Sequence, residues 1–112
     1  MTLGEKQEKF SKNLAKLFNF ILENGYQIRI GECQRTIEQQ KIYFNQGKSK
    51  TMNSNHIKKL AIDLFIFKNG EWLKTKKELQ TIGDFWESLD KNNRWGGNFK
   101  SFIDCPHFEL NE

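Results

Sequence analysis

Apolar and polar residues recur along this chain with two different periods, which predict helices and strands in turn. Residues 5–24 repeat apolar side chains every three or four positions, as an amphipathic helix does. Gly25 provides its stop signal. The lysines of this segment fall mostly on the opposite face, so the helix is predicted to be a packing element. Its predicted core face consists of Phe10, Leu14, Leu17, Phe18, Ile21 and Leu22.

The next segments change period twice. Residues 26–30 alternate apolar and polar side chains, the pattern of a half-buried strand. Thr36 is the predicted N-cap of a second helix, with Gln39 in the capping-box position and Gly47 at its end. Residues 47–55 are polar and without periodicity, so we predict a loop there.

A buried strand followed by a hairpin is predicted in the second half. Residues 61–67 are an apolar run rich in aromatic and β-branched types. Residues 68–70, Lys-Asn-Gly, are a hairpin turn signal, and 71–74 are the return strand. Thr75 and Glu78 form a capping box for a helix to about residue 90. The predicted core face of this helix consists of Leu79, Ile82, Phe85, Trp86 and Leu89.

The last quarter is predicted to complete the sheet. We predict a loop over residues 91–97 and two short strands, around 98–102 and 107–110. This order of elements predicts one α+β domain over residues 1–112, with helices packed on one side of a mostly antiparallel sheet.

Composition gives only broad limits on the partners and the compartment of this protein. The 112 residues are 37% hydrophobic, which is enough for one core. A net charge of +4 favours an anionic partner such as nucleic acid, a membrane surface or a wall polymer. The sequence contains no membrane-length apolar run and no secretory signal, so we expect a cytosolic product. Cys33 and Cys105 are expected to be reduced thiols.

Asp63 stands inside the apolar run at 61–67, where a lone carboxylate costs several kcal/mol. It therefore needs a hydrogen-bonding partner or a cation. The chain has two histidines, His56 and His107. Two imidazoles and one carboxylate are a ligand set that leaves the fourth position of a tetrahedral zinc open, as catalytic sites do.

Asp104 is a candidate general base, because it stands three residues before His107. Pro106 interrupts a regular strand, so both side chains can face one cavity. Asp104 could then take a proton from water and deliver it to a leaving amine, as amide hydrolysis requires.

Three other kinds of site fit the sequence less well. Residues 47–49 match the tail of a phosphate-binding loop, but Ile42 stands where that motif needs glycine. A closed zinc site with Cys33 and Cys105 lacks close ligand spacing. A nucleophilic pair of Cys105 and His107 is weaker still, since proximity in sequence does not establish a hydrogen bond.

Several motifs together resemble the zinc peptidases of family M15, which include D-alanyl-D-alanine carboxypeptidases and phage L-alanyl-D-glutamate endolysins. The similarity runs from about Arg35 to Leu110. It is carried by Ser54-x-His56, Asp63, Trp95-Gly96-Gly97 and Asp104-x-x-His107-Phe108.

The resemblance implies a fold like that of the hedgehog and DD-peptidase domains, with Zn2+ as cofactor. It implies metal ligation by His56, Asp63 and His107, with Asp104 as the catalytic acid/base.

Residues around these ligands receive less specific roles. The resemblance implies that Arg35 binds substrate or stabilises the oxyanion, although an ion pair with Glu38 is an equal alternative. Ser54 is expected to orient the loop or the substrate. Trp95 is a candidate substrate contact, or packs beneath the loop. Lys59 replaces a glycine of many relatives, so a positive-φ turn there would have to be built differently.

Aspartate at position 104, with Trp95-Gly96-Gly97, is more similar to the endolysin branch. This implies a peptidoglycan peptidase that cuts the L-alanyl-D-glutamate bond of the stem peptide, encoded by a phage or prophage. The alternatives are a D-alanyl-D-alanine carboxypeptidase or dipeptidase and a non-catalytic basic binding module.

The setting expected for such an enzyme is a cytoplasmic protein until lysis, acting then on the bacterial cell wall. We expect a monomer with no nucleic-acid partner, no membrane insertion and no separate wall-binding domain.

Overall fold

A computed structural model describes residues 1–49 and 54–111 of the chain. Part of the predicted loop at 47–55, residues 50–53, lies outside the described residues. The helices and strands of the described ranges are α1 (Leu3–Glu23), β1 (Gln27–Ile30), α2 (Ile37–Asn45), β2 (Ala61–Lys68), β3 (Glu71–Leu73), α3 (Lys76–Ser88), β4 (Asn93–Trp95) and β5 (His107–Leu110), with a 3-10 turn at Gly96–Asn98.

Threonine caps start all three of these helices. Thr2 forms a capping box with Glu5, so α1 begins two residues earlier than predicted. The predicted cap at Thr36 is confirmed, because its side chain accepts a hydrogen bond from the Gln39 amide. The predicted capping box of Thr75 is confirmed in the same way. These caps fix where each helix begins.

The strands of the described residues form a sheet in the order β1-β2-β5-β4, with β3 also paired to β2. Every pairing is antiparallel. The hairpin is confirmed, and positive φ angles of 53° at Asn69 and 81° at Gly70 form its turn. The α+β class predicted from the sequence is therefore confirmed.

The predicted strand at 98–102 is wrong, and the predicted loop at 91–97 contains β4 instead. The chain turns at Gly96, whose carbonyl accepts hydrogen bonds from the amides of Phe99 and Asp104. This turn folds 98–102 away from the sheet. Asn93–Trp95 consequently pairs with β5 and forms the edge.

The core lies between the sheet and the paired helices α1 and α3, which contact each other and the strands. Leu22 was predicted to be in this core, but it is 56% exposed. Leu14 and Phe18 precede it on the same side of α1 and are only partly buried. This side of the helix therefore lies at the border of the core, and Leu22 is exposed to solvent. The largest buried apolar side chains are Trp86, Trp95, Phe10, Phe108, Leu17, Ile21, Leu60, Leu64, Ile66, Ile82 and Leu110.

Strand β2 divides the molecule into two environments. Successive side chains of a strand point to opposite faces. Ile62, Leu64 and Ile66 are buried in the core, whereas Asp63 and Phe65 are partly exposed on the other face. The candidate site is built on this second face. None of the helices in the described ranges is long and apolar enough to cross a membrane.

Candidate metal centre

Three predicted ligands converge on the cleft face of β2. His56 Nε2 lies 3.2 Å from His107 Nδ1 and 3.3 Å from Asp63 Oδ1, and the Asp63 oxygen lies 3.7 Å from His107 Nδ1. Nitrogen and oxygen ligands about 2.0–2.1 Å from a tetrahedral ion are about 3.3 Å apart. The three atoms therefore have the spacing of ligands around one ion and can hold a metal.

Sheet register brings two of these ligands together. Asp63 of β2 is paired directly with His107 of β5. Residues opposite each other in an antiparallel pair project their side chains to the same face. The backbone of Asp63 is also fixed, because its amide donates to Glu32 O over 2.9 Å and its carbonyl accepts from the Gly31 amide over 2.8 Å.

The third predicted ligand, His56, is held by the turn that precedes β2. Ser54 Oγ accepts a hydrogen bond from the His56 amide at 3.2 Å, and the Arg35 amide donates to the His56 carbonyl at 3.1 Å. Ser54 thus contacts the backbone of the loop that carries His56. The turn closes where the Leu60 amide donates to the Asn55 carbonyl over 2.9 Å.

Lys59 ends this turn with a φ of 59°. The expectation that the loop would be built differently without glycine is therefore wrong. The turn has a positive φ in this chain, and the lysine adopts it. A non-glycine residue in this region carries a cost of about 1–2 kcal/mol, so the His56 loop is locally strained.

Hydrogen bonds fix which nitrogen of each imidazole faces the cluster. His56 Nδ1 lies 2.9 Å from the Cys33 carbonyl oxygen and donates to it. His107 Nε2 lies 2.6 Å from Glu109 Oε1 and donates to that carboxylate. The nitrogens that face Asp63 are consequently those with free lone pairs in the neutral rings. This is the orientation that metal ligation requires.

The electrostatics of the cluster favour positive charge at its centre. Among the described residues, Asp63 Oδ1 is a buried oxygen without a hydrogen-bond donor at bonding geometry. Burial opposes ionisation of Asp63, but the imidazoles of His107 and His56 outweigh it and hold the pKa well below its ordinary value. Burial likewise disfavours imidazolium, yet Asp63 and Glu109 raise the pKa of His107 to about 9. Either a proton on the ring or a bound cation meets this requirement.

Asp104 lies beside the cluster, as predicted. Its Oδ2 is 3.9 Å from His107 Nδ1, and the His107 amide donates to the Asp104 carbonyl at 3.0 Å in the turn containing Pro106. Gly96 permits this turn, because a Cβ there would collide with the Asp104 carbonyl. Burial raises the pKa of the Asp104 carboxyl, opposed by the charge of His107 and reinforced by that of Asp63.

Arg35 lies in the cleft wall with a mostly buried side chain. Its guanidinium pairs with Glu32, donates to Gln40 Oε1 at 2.7 Å and stacks on the Tyr43 ring at 4.7 Å. The alternative prediction for Arg35 was an ion pair with Glu38. This partner is wrong, because the arginine pairs with Glu32. Three partners hold the guanidinium at the cleft.

Trp95 is fully buried, so the expectation that it contacts substrate is replaced by a packing role. Its indole nitrogen donates to the Cys105 carbonyl at 2.8 Å. A Cβ at Gly83 or Gly97 would collide with the ring. Both glycines therefore leave room for the Trp95 ring.

The sequence interpretation missed Glu109, which is 4% exposed and contacts His107. Arg94 Nη2 lies 2.7 Å from Glu109 Oε2. Burial opposes ionisation of Glu109, but His107 and Arg94 outweigh it and lower its pKa. The spacing of Glu109 from His107 could have indicated this contact, since residues two apart on a strand share a face.

The cysteines do not join the cluster. Both are free, and Cys33 contributes only its carbonyl to His56. The described residues that form the metal-binding group are His56, Asp63 and His107. They lie in an open cleft of about 920 Å³, whose wall also includes Arg94, Asn98, Phe99, Lys100 and Tyr43.

Comparisons with known proteins found similar sequences and a similar structure. Residues 47–110 match the peptidase M15 family model described as D-alanyl-D-alanine carboxypeptidase. The L-alanyl-D-glutamate peptidase of Listeria phage A118 is 33% identical over 98 residues, which cover 86% of this chain. The chain spans about a third of that relative, since the matched residues cover 34% of its length.

A solved structure shares the fold. The crystal structure of the Serratia marcescens L-Ala D-Glu endopeptidase ChiX has a TM-score of 0.71 to this chain and 21% sequence identity. The match covers 96% of this chain and 85% of the other. At this identity, the likeness concerns the arrangement of helices and strands.

Proposed function

Because the chain belongs to the peptidase M15 family, we propose that it is a zinc-dependent peptidoglycan peptidase. Its proposed reaction is hydrolysis of the L-alanyl-D-glutamate bond of the stem peptide, as a phage or prophage endolysin. The observation that carries this proposal is the convergence of His56, Asp63 and His107 within one cleft, with Asp104 beside them. The name of the Listeria phage relative supports the choice of bond.

Zinc suits the three ligands that would hold it. Two imidazole nitrogens and one carboxylate oxygen are a common catalytic zinc set that leaves one position for a reactant. When bound, the ion supplies Lewis-acid chemistry, polarising the scissile carbonyl and acidifying water. His56 and His107 are oriented for this role by the Cys33 carbonyl and the Glu109 carboxylate.

Asp104 is the proposed general acid/base. Its carboxyl is close enough to His107 Nδ1 to reach a reactant at the same point of the cleft. The raised pKa of Asp104 brings its two protonation states closer in free energy near neutral pH. The carboxylate takes the proton of the attacking water and delivers it to the leaving amine of the D-glutamate residue.

Arg35 is the proposed anchor for negative charge. Its guanidinium is held at the cleft wall by Glu32, Gln40 and Tyr43. A preorganised guanidinium binds a peptide carboxylate or a developing oxyanion by charge-assisted hydrogen bonds. Ser54 acts by fixing the loop that carries His56.

Mass spectrometry of digested muropeptides tests the bond. Purified peptidoglycan is incubated with the zinc-loaded protein, and the fragments are compared with those from chelator-treated protein. New amino-terminal D-glutamate, formed only with zinc, is the expected result. Release of terminal D-alanine without new D-glutamate would instead identify the carboxypeptidase activity for which the family model is named.

Two results, in which the zinc-loaded and chelator-treated proteins behave alike, would contradict the mechanism. If the protein adsorbs to peptidoglycan and neither preparation releases fragments, it is a basic binding module. If both preparations release the same fragments, the cluster is not the reacting centre.

A further inference from the structure

A second layer of charge lies behind His107 on the same face of the sheet. Glu109 follows His107 by two residues in β5, and Arg94 is paired with Glu109 across the ladder from β4. One Glu109 oxygen accepts from His107 Nε2 at 2.6 Å, and the other lies 2.8 Å from Arg94 Nε and 2.7 Å from Arg94 Nη2. Arg94, Glu109 and His107 thus form a continuous chain of hydrogen bonds from the cleft surface to the predicted metal ligand.

We infer that Glu109 and Arg94 are positioning residues for His107, which keep its Nδ1 aimed at the metal and set how strongly that nitrogen binds. This inference rests on the proposed function. Glu109 acts through the ring of His107, and Arg94 acts through Glu109.

Burial makes this arrangement hard to explain as packing alone. The Glu109 side chain is 5% exposed, although an apolar residue on the same strand would avoid the desolvation of a charge. Phe108 and Leu110, its neighbours along the strand, point to the core and are fully buried. The carboxylate is therefore retained on the cleft side, where its hydrogen-bond partner is a ligand of the candidate metal site.

The arginine completes the orientation of the carboxylate. Two Arg94 nitrogens reach the same oxygen, Oε2, which leaves Oε1 directed at His107. The Arg94 guanidinium also stacks on Phe99 at 5.1 Å, and the Phe99 ring centroid lies 5.6 Å from that of His107. The ring of His107 is thus held from its edge by Glu109 and contacted by the Phe99 ring, which is tilted by 55° to it.

The test measures zinc affinity and not only turnover. Chelator-treated wild-type, Glu109→Ala, Glu109→Gln and Arg94→Met proteins are titrated with Zn2+ against a chromophoric chelator. Loss of an outer-shell partner lowers metal affinity by about 10–100-fold, so we expect that loss for Glu109→Ala. Glu109→Gln keeps an acceptor of the same shape and should recover most of the affinity. Arg94→Met should show the smallest loss.

Imidazole nitrogen NMR provides a readout that general destabilisation does not produce. Ligation through Nδ1 leaves the His107 proton on Nε2 in every zinc-loaded variant. In wild-type and Glu109→Gln proteins, this Nε2 proton should show the shift of a hydrogen-bonded proton and exchange slowly with water. In Glu109→Ala, it should lose that shift and exchange faster. At saturating zinc, kcat should fall in Glu109→Ala while KM stays within about twofold of wild type, because Glu109 is not proposed to contact substrate.

Asp90→Asn is the matched control, since it also removes a paired carboxylate. Asp90 lies 2.7 Å from Lys9 in an ion pair between the α1 helix and the segment after α3. This variant should lose stability without any change in zinc affinity. Equal zinc affinity and an equally protected His107 Nε2 proton in wild-type and Glu109→Ala proteins would overturn the positioning role. Failure of the wild-type protein to bind zinc would overturn the proposed function as well.

Discussion

The two faces of β2 meet opposite physical requirements within eight residues. Ile62, Leu64 and Ile66 fill a core, where contacts are non-directional and depend mainly on volume. Asp63 lies on the other face, and its proposed role depends on the position of one oxygen, which is within 3.7 Å of His56 Nε2 and His107 Nδ1. Stability and chemistry should therefore respond to different substitutions of the same strand.

Removing a ligand should have the largest effect. In His56→Ala or His107→Ala, the metal loses one of three protein ligands, so stoichiometric zinc should not survive dialysis and peptidase activity should vanish. Ligand binding at a thousand times Kd stabilises a fold by about 4 kcal/mol. The variants should lack this zinc-dependent rise in melting temperature. Retention of one zinc per chain by either variant would contradict the ligand assignment.

Asp104→Asn should separate chemistry from binding. The substitution keeps the shape of the carboxyl and leaves the three ligands unchanged, so zinc affinity should stay near that of wild type. Loss of a general acid/base lowers kcat by about 10²–10⁴-fold. Steady-state kinetics on a stem-peptide substrate measure this loss. Wild-type turnover in the variant would remove Asp104 from the mechanism.

The core face should show the reverse pattern. Ile66→Ala opens a cavity in the core, three residues from Asp63, and should lower the free energy of unfolding by about 2–5 kcal/mol. Urea denaturation of the chelator-treated protein measures this change. Zinc affinity of the folded variant should match that of wild type. A parallel loss of affinity would show that the two faces are coupled.

The smallest predicted effect concerns the strained loop beside the metal centre. Lys59→Gly relieves the positive φ but increases the freedom of the unfolded chain, so the net gain should be at most about 1 kcal/mol. Lys58→Gly is the matched control, because Lys58 has no positive φ. This control should lose about 0.5–1 kcal/mol. If Lys59→Gly lowers the free energy of unfolding, the contacts of the lysine side chain stabilise the fold by more than its positive φ destabilises it.

Local chemistry made several features predictable from the sequence. The caps at Thr36 and Thr75 and the Asn69-Gly70 turn depend on residues within four positions of each other. Asp63 was predictable as a site residue because a carboxylate in an apolar strand needs compensation. Its convergence with both histidines was inferred from ligand chemistry, and the register Asp63↔His107 supplies the geometry.

Features decided by distant partners were not predictable in this way. Asn93–Trp95 is too short and too polar to show strand periodicity, and it becomes a strand only by pairing with β5. Residues 98–102 resemble a strand in sequence, but the turn at Gly96 directs them away from the sheet. Glu109 becomes significant only when His107 and Arg94 surround it.

The ligand shell of bound zinc tests the central claim most directly. Zinc is added to the chelator-treated protein at one equivalent, and X-ray absorption at the zinc edge reports the donor atoms. The account predicts one ion per chain with nitrogen and oxygen donors at about 2.0–2.1 Å, including two imidazoles. A sulfur donor at about 2.3 Å, or no imidazole signal, would contradict it.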